Sequence, residues 1–425
     1  MSSDTRLQAE FQELLDEKQS LELLREAIKR ESITGNESAF VRWLEEQMVS
    51  LSLDPRKAEF APGRSNIWGL REGNGDGPRL LFTGHTDTVH VRGWRQRWAG
   101  TERENPFGAA VEGGEVWGRG AADLKGGICA CISALRLLDA AGIQLAGDIE
   151  FAFVGDEESG EPGTGVSAGM RKFTEDVLDG EIAKPDFAIY VEPTRMSVFT
   201  AQIGFFIADV RIKGRTAYFG FPEKGVDAVK ALYNALGEIW NHSAEIGRRG
   251  RHELLGESFA LVTEVSGGGY IAVPGEASCT VIRKLRPGES IDAAVSEFEA
   301  IVLNAFEGCE VAVEISFPAG RDHPKGGSPV EIDSNISPVA MLRSSLAIAK
   351  SGTGAIEGAP FWSEASFLIN RLNCPAVYCA PGDIANCHTL EERISIAEYH
   401  ACTIAFALFM TAYCGVAGNS RKPSQ

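Results

Sequence analysis

The sequence is short of basic residues. It contains 41 lysines and arginines against 59 aspartates and glutamates, which gives a formal net charge of −18. A surplus of negative charge repels phosphate backbones and anionic lipid headgroups. We therefore expect no nucleic-acid or membrane partner, and a small molecule as the substrate. The surplus acid can lie on the solvated surface or can partly surround bound cations, and only the positions of the carboxylates decide between these.

The sequence also lacks the features of a secreted, disulfide-bonded protein. Its first residues, MSSDTRLQAEFQELLDEKQS, are acidic and show no basic segment followed by an apolar core, so no secretory signal is visible. The nine cysteines are an odd number spread over 425 residues, which fits a reduced cytosol better than a disulfide framework. We expect a cytoplasmic protein.

Long uncharged segments are absent with one exception. Residues 401–420 (ACTIAFALFMTAYCGVAGNS) carry no charge and approach the length of a membrane span. Threonines, a tyrosine and glycines interrupt this segment, and no second one of its kind follows. We therefore interpret it as a buried helix packed behind a sheet.

The order of the apolar segments predicts two kinds of structure. In the outer parts of the chain, apolar strands such as Asp148–Val154 and Asp186–Val191 alternate with helices. That alternation is typical of an α/β sandwich with a largely parallel sheet. The middle of the chain instead follows a β-α-β-β-α-β order that begins at the alternating strand Phe205–Lys213. We interpret the middle as an α+β domain inserted into the α/β domain.

Acidic residues and histidines follow several of the predicted strands and one glycine-rich turn. The segments are LLFTGHTDTV with His85 and Asp87, WGRGAADLKGG with Asp123, FAFVGDEESG with Glu157 and Glu158, IYVEPT with Glu192, and CAPGDIANCHTL with His388. Singly, each has an ordinary explanation, such as a solvated surface charge or a helix cap. Together they indicate one site, because ligands bind outside the carboxyl ends of strands in open α/β sheets.

In this order, the five segments resemble the metallopeptidase family of aminoacylase, acetylornithine deacetylase, succinyl-diaminopimelate desuccinylase and carboxypeptidase G. The resemblance implies a catalytic domain of residues 1–200 and 319–425, and an inserted lid and dimerisation domain of residues 201–318 in a homodimer. It also implies one or two divalent ions, Glu157 as general base and Asp87 as the partner of His85. The metal ligands that it implies are His85, Asp123, Glu158, Glu192 and His388.

Charge and donor chemistry agree with that ligand set. Asp123, Glu158 and Glu192 bring three negative charges and a bridging hydroxide brings one, which two divalent ions neutralise. Imidazole and carboxylate ligands without a thiolate suit manganese, zinc or cobalt. Two such ions lower the pKa of a shared water, and Glu157 can then move its proton to a leaving amine.

The inserted domain departs from the family pattern. Members that cleave amides usually carry a segment like GKAAHSGxP, whose histidine polarises the scissile carbonyl, whereas here GRTAYFGFP has Tyr218 at that place. Apolar Ile271 and Ile282 also fall where the family has an asparagine and an aspartate. These changes are either ordinary divergence or the mark of a different electrophile.

Three functions remain open from the sequence. The first is a metal-dependent hydrolase that cleaves a C–N bond of a small carboxylated substrate. Its favoured version deaminates an aromatic amine, converting 5-nitroanthranilate to 5-nitrosalicylate and ammonia. Tyr218 is then a catalytic and substrate-binding residue, and Arg283 and Lys284 are substrate-binding residues. A neutral phenol is adequate there because the ring takes up the charge that a carbonyl oxygen would otherwise carry. The alternative is an N-acyl-amino-acid deacylase or dipeptidase of the same family. The third function, an inactive binding module, conflicts with the complete ligand set and with Glu157.

Overall fold

The computed structural model describes residues 3–158 and 164–418. The chain divides into two compact units. The first unit consists of Met1–Thr200, Ile332–Glu357 and Phe367–Gln425, and the second consists of Ala201–Glu331 and Gly358–Ser366. The family resemblance implies a return to the catalytic domain at residue 319, whereas the second compact unit extends to Glu331. The reason is that Gly326 and Gly327 still pair with a strand of the second unit.

The helices and strands of the described residues have the following bounds. The helices are α1 (Ser3–Leu14), α2 (Glu17–Lys29), α3 (Ser38–Ser50), α4 (Trp94–Arg97), α5 (Gly126–Ala140), α6 (Ala168–Leu178), α7 (Ala228–Arg248), α8 (Ile291–Asn304), α9 (Ser337–Ala349), α10 (Ala365–Leu372) and α11 (Ile396–Cys414). The strands are β1 (Arg56–Ala61), β2 (Arg64–Arg71), β3 (Leu80–His85), β4 (Ala110–Glu112), β5 (Glu115–Trp117), β6 (Ile149–Val154), β7 (Phe187–Tyr190), β8 (Val198–Gln202), β9 (Gly204–Lys213), β10 (Arg251–His252), β11 (Gly256–Glu257), β12 (Phe259–Gly267), β13 (Glu276–Leu285), β14 (Ala312–Ser316), β15 (Gly326–Gly327), β16 (Val330–Glu331), β17 (Ile356–Ala359), β18 (Ala376–Tyr378) and β19 (Arg393–Ser395).

The first unit is built on a mixed sheet with the strand order β1-β2-β6-β3-β7-β18-β8. Its four central strands, β6, β3, β7 and β18, are mutually parallel. The flanking strands β2 and β8 run antiparallel to their neighbours. The predicted α/β fold is confirmed, and the parallel part of the sheet is limited to its centre.

The central strands are buried along their whole length. Every residue of β3 (LLFTGH) and of β6 (IEFAFV) is buried, as expected for parallel strands covered on both faces. The largely apolar helix α11, which carries Glu398 in its first turn, packs against α5 and α9. The apolar segment near the end of the chain is therefore a core helix, and Asn419 and Ser420 lie outside the described residues. Within the described part of the chain, no helix is both long and apolar enough to cross a membrane.

The second unit has a core of its own. Its antiparallel sheet has the order β12-β13-β9-β14, and buried and less buried residues alternate along β9 and β13. The buried side chains meet α7 and α8 in one apolar cluster that includes Phe206, Val281 and Phe298. This is the α+β arrangement that the alternating pattern predicts.

Candidate metal centre

The candidate metal ligands lie at one edge of the central sheet. Because β6, β3, β7 and β18 are parallel neighbours, their carboxyl ends meet at the same edge. His85 is the last residue of β3, a glutamate pair follows β6, Glu192 follows β7, and His388 lies in the loop after β18. Asp123 approaches from the turn that precedes α5. The fold therefore brings together side chains that are up to 303 residues apart, from His85 to His388.

The Asp123 carboxylate lies between two imidazoles. Its Oδ1 is 3.0 Å from Nε2 of His85, and its Oδ2 is 3.1 Å from Nε2 of His388. Glu192 Oε1 lies 3.8 Å from Nε2 of His85, and Glu158 Oε1 lies 3.0 Å from Nε2 of His388. The ligand atoms form two groups that share Asp123, and within each group they lie within 4.8 Å of one another. Asp123 thus has one histidine and one glutamate on each side, which is the arrangement expected of a carboxylate shared by two metal sites.

The charge of this cluster suits divalent cations. Although burial opposes it, hydrogen bonds from both histidines hold the pKa of Asp123 well below its ordinary value. Desolvation opposes the charged form of His388 as well, yet hydrogen bonds to Asp123 and Glu158 raise its pKa to about 11. For His85, burial again opposes the charged form, but the hydrogen bond to Asp123 raises its pKa well above its ordinary value. The carboxylates thus favour positive charge at this place, and the nitrogen and oxygen donors suit two ions of zinc, manganese or cobalt type.

Asp87 supports both the histidine and the glutamate pair. Its Oδ2 accepts hydrogen bonds from the backbone N–H of Glu158 at 2.9 Å and from Thr34 Oγ1 at 3.0 Å. Its Oδ1 accepts one from the N–H of Glu157 at 3.3 Å. His85 Nδ1 is 2.9 Å from the backbone oxygen of Asp87 and 3.9 Å from its carboxylate. Asp87 is therefore the partner of His85 through its backbone oxygen. The Asp87 carboxylate mainly holds the turn after β6.

That turn is fixed by a residue that sequence analysis did not single out. Asp156 has a φ of 74°, in the left-handed region that non-glycine residues rarely occupy. Its carboxylate accepts hydrogen bonds from the N–H groups of Gly165 and Val166 at 3.2 Å each and pairs with Arg64 at 2.9 Å. These contacts compensate the backbone strain and hold the two glutamates that follow in place.

Glu392 is a second residue that sequence analysis missed. It is fully buried, and its Oε1 accepts hydrogen bonds from the N–H groups of Ala122 and Asp123, each at 3.1 Å. A single sequence offers little to distinguish it from its neighbour Glu391 in the segment HTLEER. The only hint is its position four residues after His388, where a short loop can reach back toward the site.

The predicted substrate-binding residues all lie in the second unit. Tyr218 is exposed, and its ring centroid is 4.5 Å from that of Phe219. Arg283 is buried and donates a 2.6 Å hydrogen bond to Glu289, while Lys284 Nζ donates to the backbone oxygen of Leu255 at 2.6 Å. The charged groups of Arg283 and Lys284 are thus used within the second unit, and we do not propose either of them as a ligand for a substrate carboxylate.

The shared carboxylate generates a prediction about metal content. We expect wild-type protein to hold two divalent ions per chain after equilibrium dialysis against zinc, measured by inductively coupled plasma mass spectrometry. His388→Ala leaves the group of His85, Asp123 and Glu192 intact and should keep one ion. Asp123→Ala removes a ligand from both groups and should keep none. Two retained ions in either variant would contradict the bridging arrangement.

Curated relatives align with nearly the whole chain. A succinyl-diaminopimelate desuccinylase from Gluconacetobacter diazotrophicus is 26% identical over 93% of this chain and 97% of its own length. An acetylornithine deacetylase from Proteus mirabilis is 26% identical over 89% of this chain and 92% of its own length. A solved structure of a tripeptidase from Staphylococcus aureus shares the fold with a TM-score of 0.74, at 20% identity over 94% of this chain and 99% of that one.

A family match is consistent with these likenesses. Residues 81–412 match the description peptidase family M20/M25/M40, and this range contains every candidate metal ligand named above. Since the match covers more than half of the chain, the protein belongs to peptidase family M20/M25/M40 and is a metal-dependent hydrolase of C–N bonds.

Proposed function

We propose that the protein hydrolyses the amide bond of an N-acyl amino acid or of a dipeptide. The observation that carries this proposal is the alignment of a desuccinylase and a deacetylase with about nine tenths of the chain. A complete set of metal-binding side chains at the carboxyl edge of the sheet supports it. The comparisons give no support to deamination of 5-nitroanthranilate, so the alternative that sequence analysis held second becomes the leading proposal.

In this proposal five side chains would hold two divalent ions, and Asp123 would belong to both coordination groups. His85 and Glu192 complete one coordination group, and Glu158 and His388 complete the other. When bound, the ions lower the pKa of a water and stabilise the negative charge that develops on the substrate. His85 keeps its orientation through the hydrogen bond from Nδ1 to the backbone oxygen of Asp87.

We assign the proton transfer to Glu157. A carboxylate oxygen of Glu157 lies within 4.8 Å of ligand atoms of His85 and Glu158, while Glu157 belongs to neither group that shares Asp123. It can therefore take a proton from the attacking water and deliver it to the leaving nitrogen, so that the C–N bond breaks into a carboxylate and an amine. Asp87 fixes its backbone by accepting the Glu157 N–H at 3.3 Å.

Replacing Glu157 tests this assignment. Glu157→Gln keeps the size of the side chain but removes the base, so we expect kcat to fall by a factor on the order of 10²–10⁴. Metal content, measured on the same preparation, should remain that of the wild type. The exposed Glu175→Gln on α6 is the matched control and should keep full activity. Loss of an ion from Glu157→Gln would mean that Glu157 is a ligand and that its assigned role is wrong.

The second candidate, an aromatic amine as substrate, rests on Tyr218, which stands where the family resemblance would place a histidine. Tyr218, Phe219 and Phe221 are all exposed and form one aromatic cluster in the second unit. A phenol donates one hydrogen bond but cannot offer the positive charge of an imidazolium to a developing oxyanion. An electron-poor aromatic ring, which spreads the developing charge itself, would need no such cation.

A direct comparison of substrates separates the two candidates. We expect acetyl- and succinyl-amino acids or dipeptides to be hydrolysed, with free amine detected by ninhydrin, because a deacetylase and a desuccinylase align with nearly the whole chain. No ammonia should be released from a nitro-substituted ortho-aminobenzoate by the same preparation. Ammonia release without amide hydrolysis would replace the leading proposal by the aromatic one, and Glu157→Gln should abolish whichever activity is found.

We infer that the protein forms a homodimer through its second unit. Strand β12 is an edge strand of its sheet, and its Leu261 and Val265 are exposed. The helix α7 exposes Tyr233 and Trp240 as well. An exposed apolar edge strand is prone to pair with another chain unless it is covered, and a second copy would cover it.

Light scattering coupled to size exclusion tests the homodimer. We expect wild-type protein to be dimeric at micromolar concentration, and Leu261→Lys to shift it toward the monomer because a charge then lies on the apolar edge. Leu178→Lys, at a similarly exposed leucine of the first unit, is the control and should remain dimeric. A monomeric wild-type protein would exclude this assembly.

A further inference from the structure

A buried ion pair connects the turn of Asp123 to the loop of His388. Glu392 and Arg119 are 0% and 2% exposed, and Arg119 Nη1 donates to Glu392 Oε2. The other oxygen of Glu392 accepts the N–H groups of Ala122 and Asp123. One carboxylate therefore holds both the guanidinium and the backbone of the residue that lies between the two histidines.

Arg119 also contacts the backbone beside His388. Its Nη2 donates to the backbone oxygen of Thr389 at 3.1 Å and, more weakly, to that of His90 at 3.4 Å. Thr389 directly follows His388. Just beyond the pair, the antiparallel pairing of Trp117 with Arg393 keeps the two segments in register. Residues 119–123 and 388–392 are thus tied together by one ion pair and its hydrogen bonds.

His388 depends on such support more than His85 does. His85 ends the central strand β3 and is buried, so the sheet itself fixes its position. The His388 side chain is 56% exposed, and its backbone has a left-handed φ of 59°. Neither burial nor regular secondary structure holds its imidazole 3.1 Å from Asp123 Oδ2 and 3.0 Å from Glu158 Oε1.

We propose that the Arg119–Glu392 ion pair positions the His388 loop against the Asp123 turn and so controls binding of the ion held by Asp123, Glu158 and His388. The ion held by His85, Asp123 and Glu192 depends on it less, because His85 ends β3 and Glu192 lies two residues after β7, whereas His388 lies ten residues after β18. Arg119 and Glu392 are positioning residues, since their contacts are with the elements that carry the ligands. Supporting contacts of this kind typically contribute 10- to 100-fold in metal affinity.

The test is cobalt(II) binding to chelator-treated full-length protein, followed by calorimetry and by the visible absorption of the bound ion. Glu392→Gln can still accept the two N–H groups but loses the charge that pairs with Arg119. We expect one of the two binding events to weaken by about 10- to 100-fold and the other by less than about threefold. Glu391→Gln is the matched control, because Glu391 is the next residue and pairs with Arg97 on the surface. It should bind cobalt as the wild type does.

A second variant keeps the test decisive if Glu392→Gln fails to fold. Arg119→Lys retains the positive charge, but one ammonium cannot reproduce the contacts of the guanidinium with Glu392, Thr389 and His90. It should show the same selective weakening to a smaller extent. Equal weakening of both events, unchanged binding in Arg119→Lys, or the same effect in Glu391→Gln would overturn the proposal. Because cobalt binding is read without substrate, this result is independent of the identity of the amide.

Discussion

The structure of the site depends on one carboxylate placed between two imidazoles. Asp123 faces His85 with one oxygen and His388 with the other, at 3.0 and 3.1 Å. Around it lie Glu158 and Glu192, which are also buried. Negative charge at this density is costly in a protein interior unless cations compensate it. The neighbouring carboxylates raise the pKa of both histidines, so positive charge is favoured at this place. Two divalent ions would supply that charge.

The fold brings these charges together without a dedicated binding loop for each. Four parallel strands at the centre of a mixed sheet end at one edge, and a ligand lies at the end of one of them and after the end of each of the others. The supporting contacts come from outside those strands: Asp87 and Thr34 hold the glutamate turn, and Glu392 holds the turn of Asp123. The chemistry therefore resides at the strand ends, and its geometry is fixed by a surrounding layer of buried hydrogen bonds.

Much of this arrangement is predictable from the sequence, because strand ends and their polar residues are local features. The α/β class, the insertion of an α+β segment and the set of residues gathered at the edge all follow from such patterns. Glu392 is not predictable in this way, because only tertiary contacts distinguish it from its neighbour Glu391, whose side chain is 47% exposed. The role of Arg283 is not predictable from the sequence either, because its guanidinium forms an ion pair with Glu289 inside the second unit. The return to the first unit at Ile332 was missed because the pairing of Gly326 and Gly327 with β9 leaves no apolar pattern.

The central proposal is that Asp123 would bridge two divalent ions at the carboxyl edge of the sheet. Anomalous diffraction at the zinc absorption edge, from crystals grown with zinc, measures this most directly. The account predicts two anomalous peaks, one on the side of His85 and Glu192 and one on the side of His388 and Glu158, with the Asp123 carboxylate between them. A single peak, or two peaks of which one has no contact with Asp123, would contradict it.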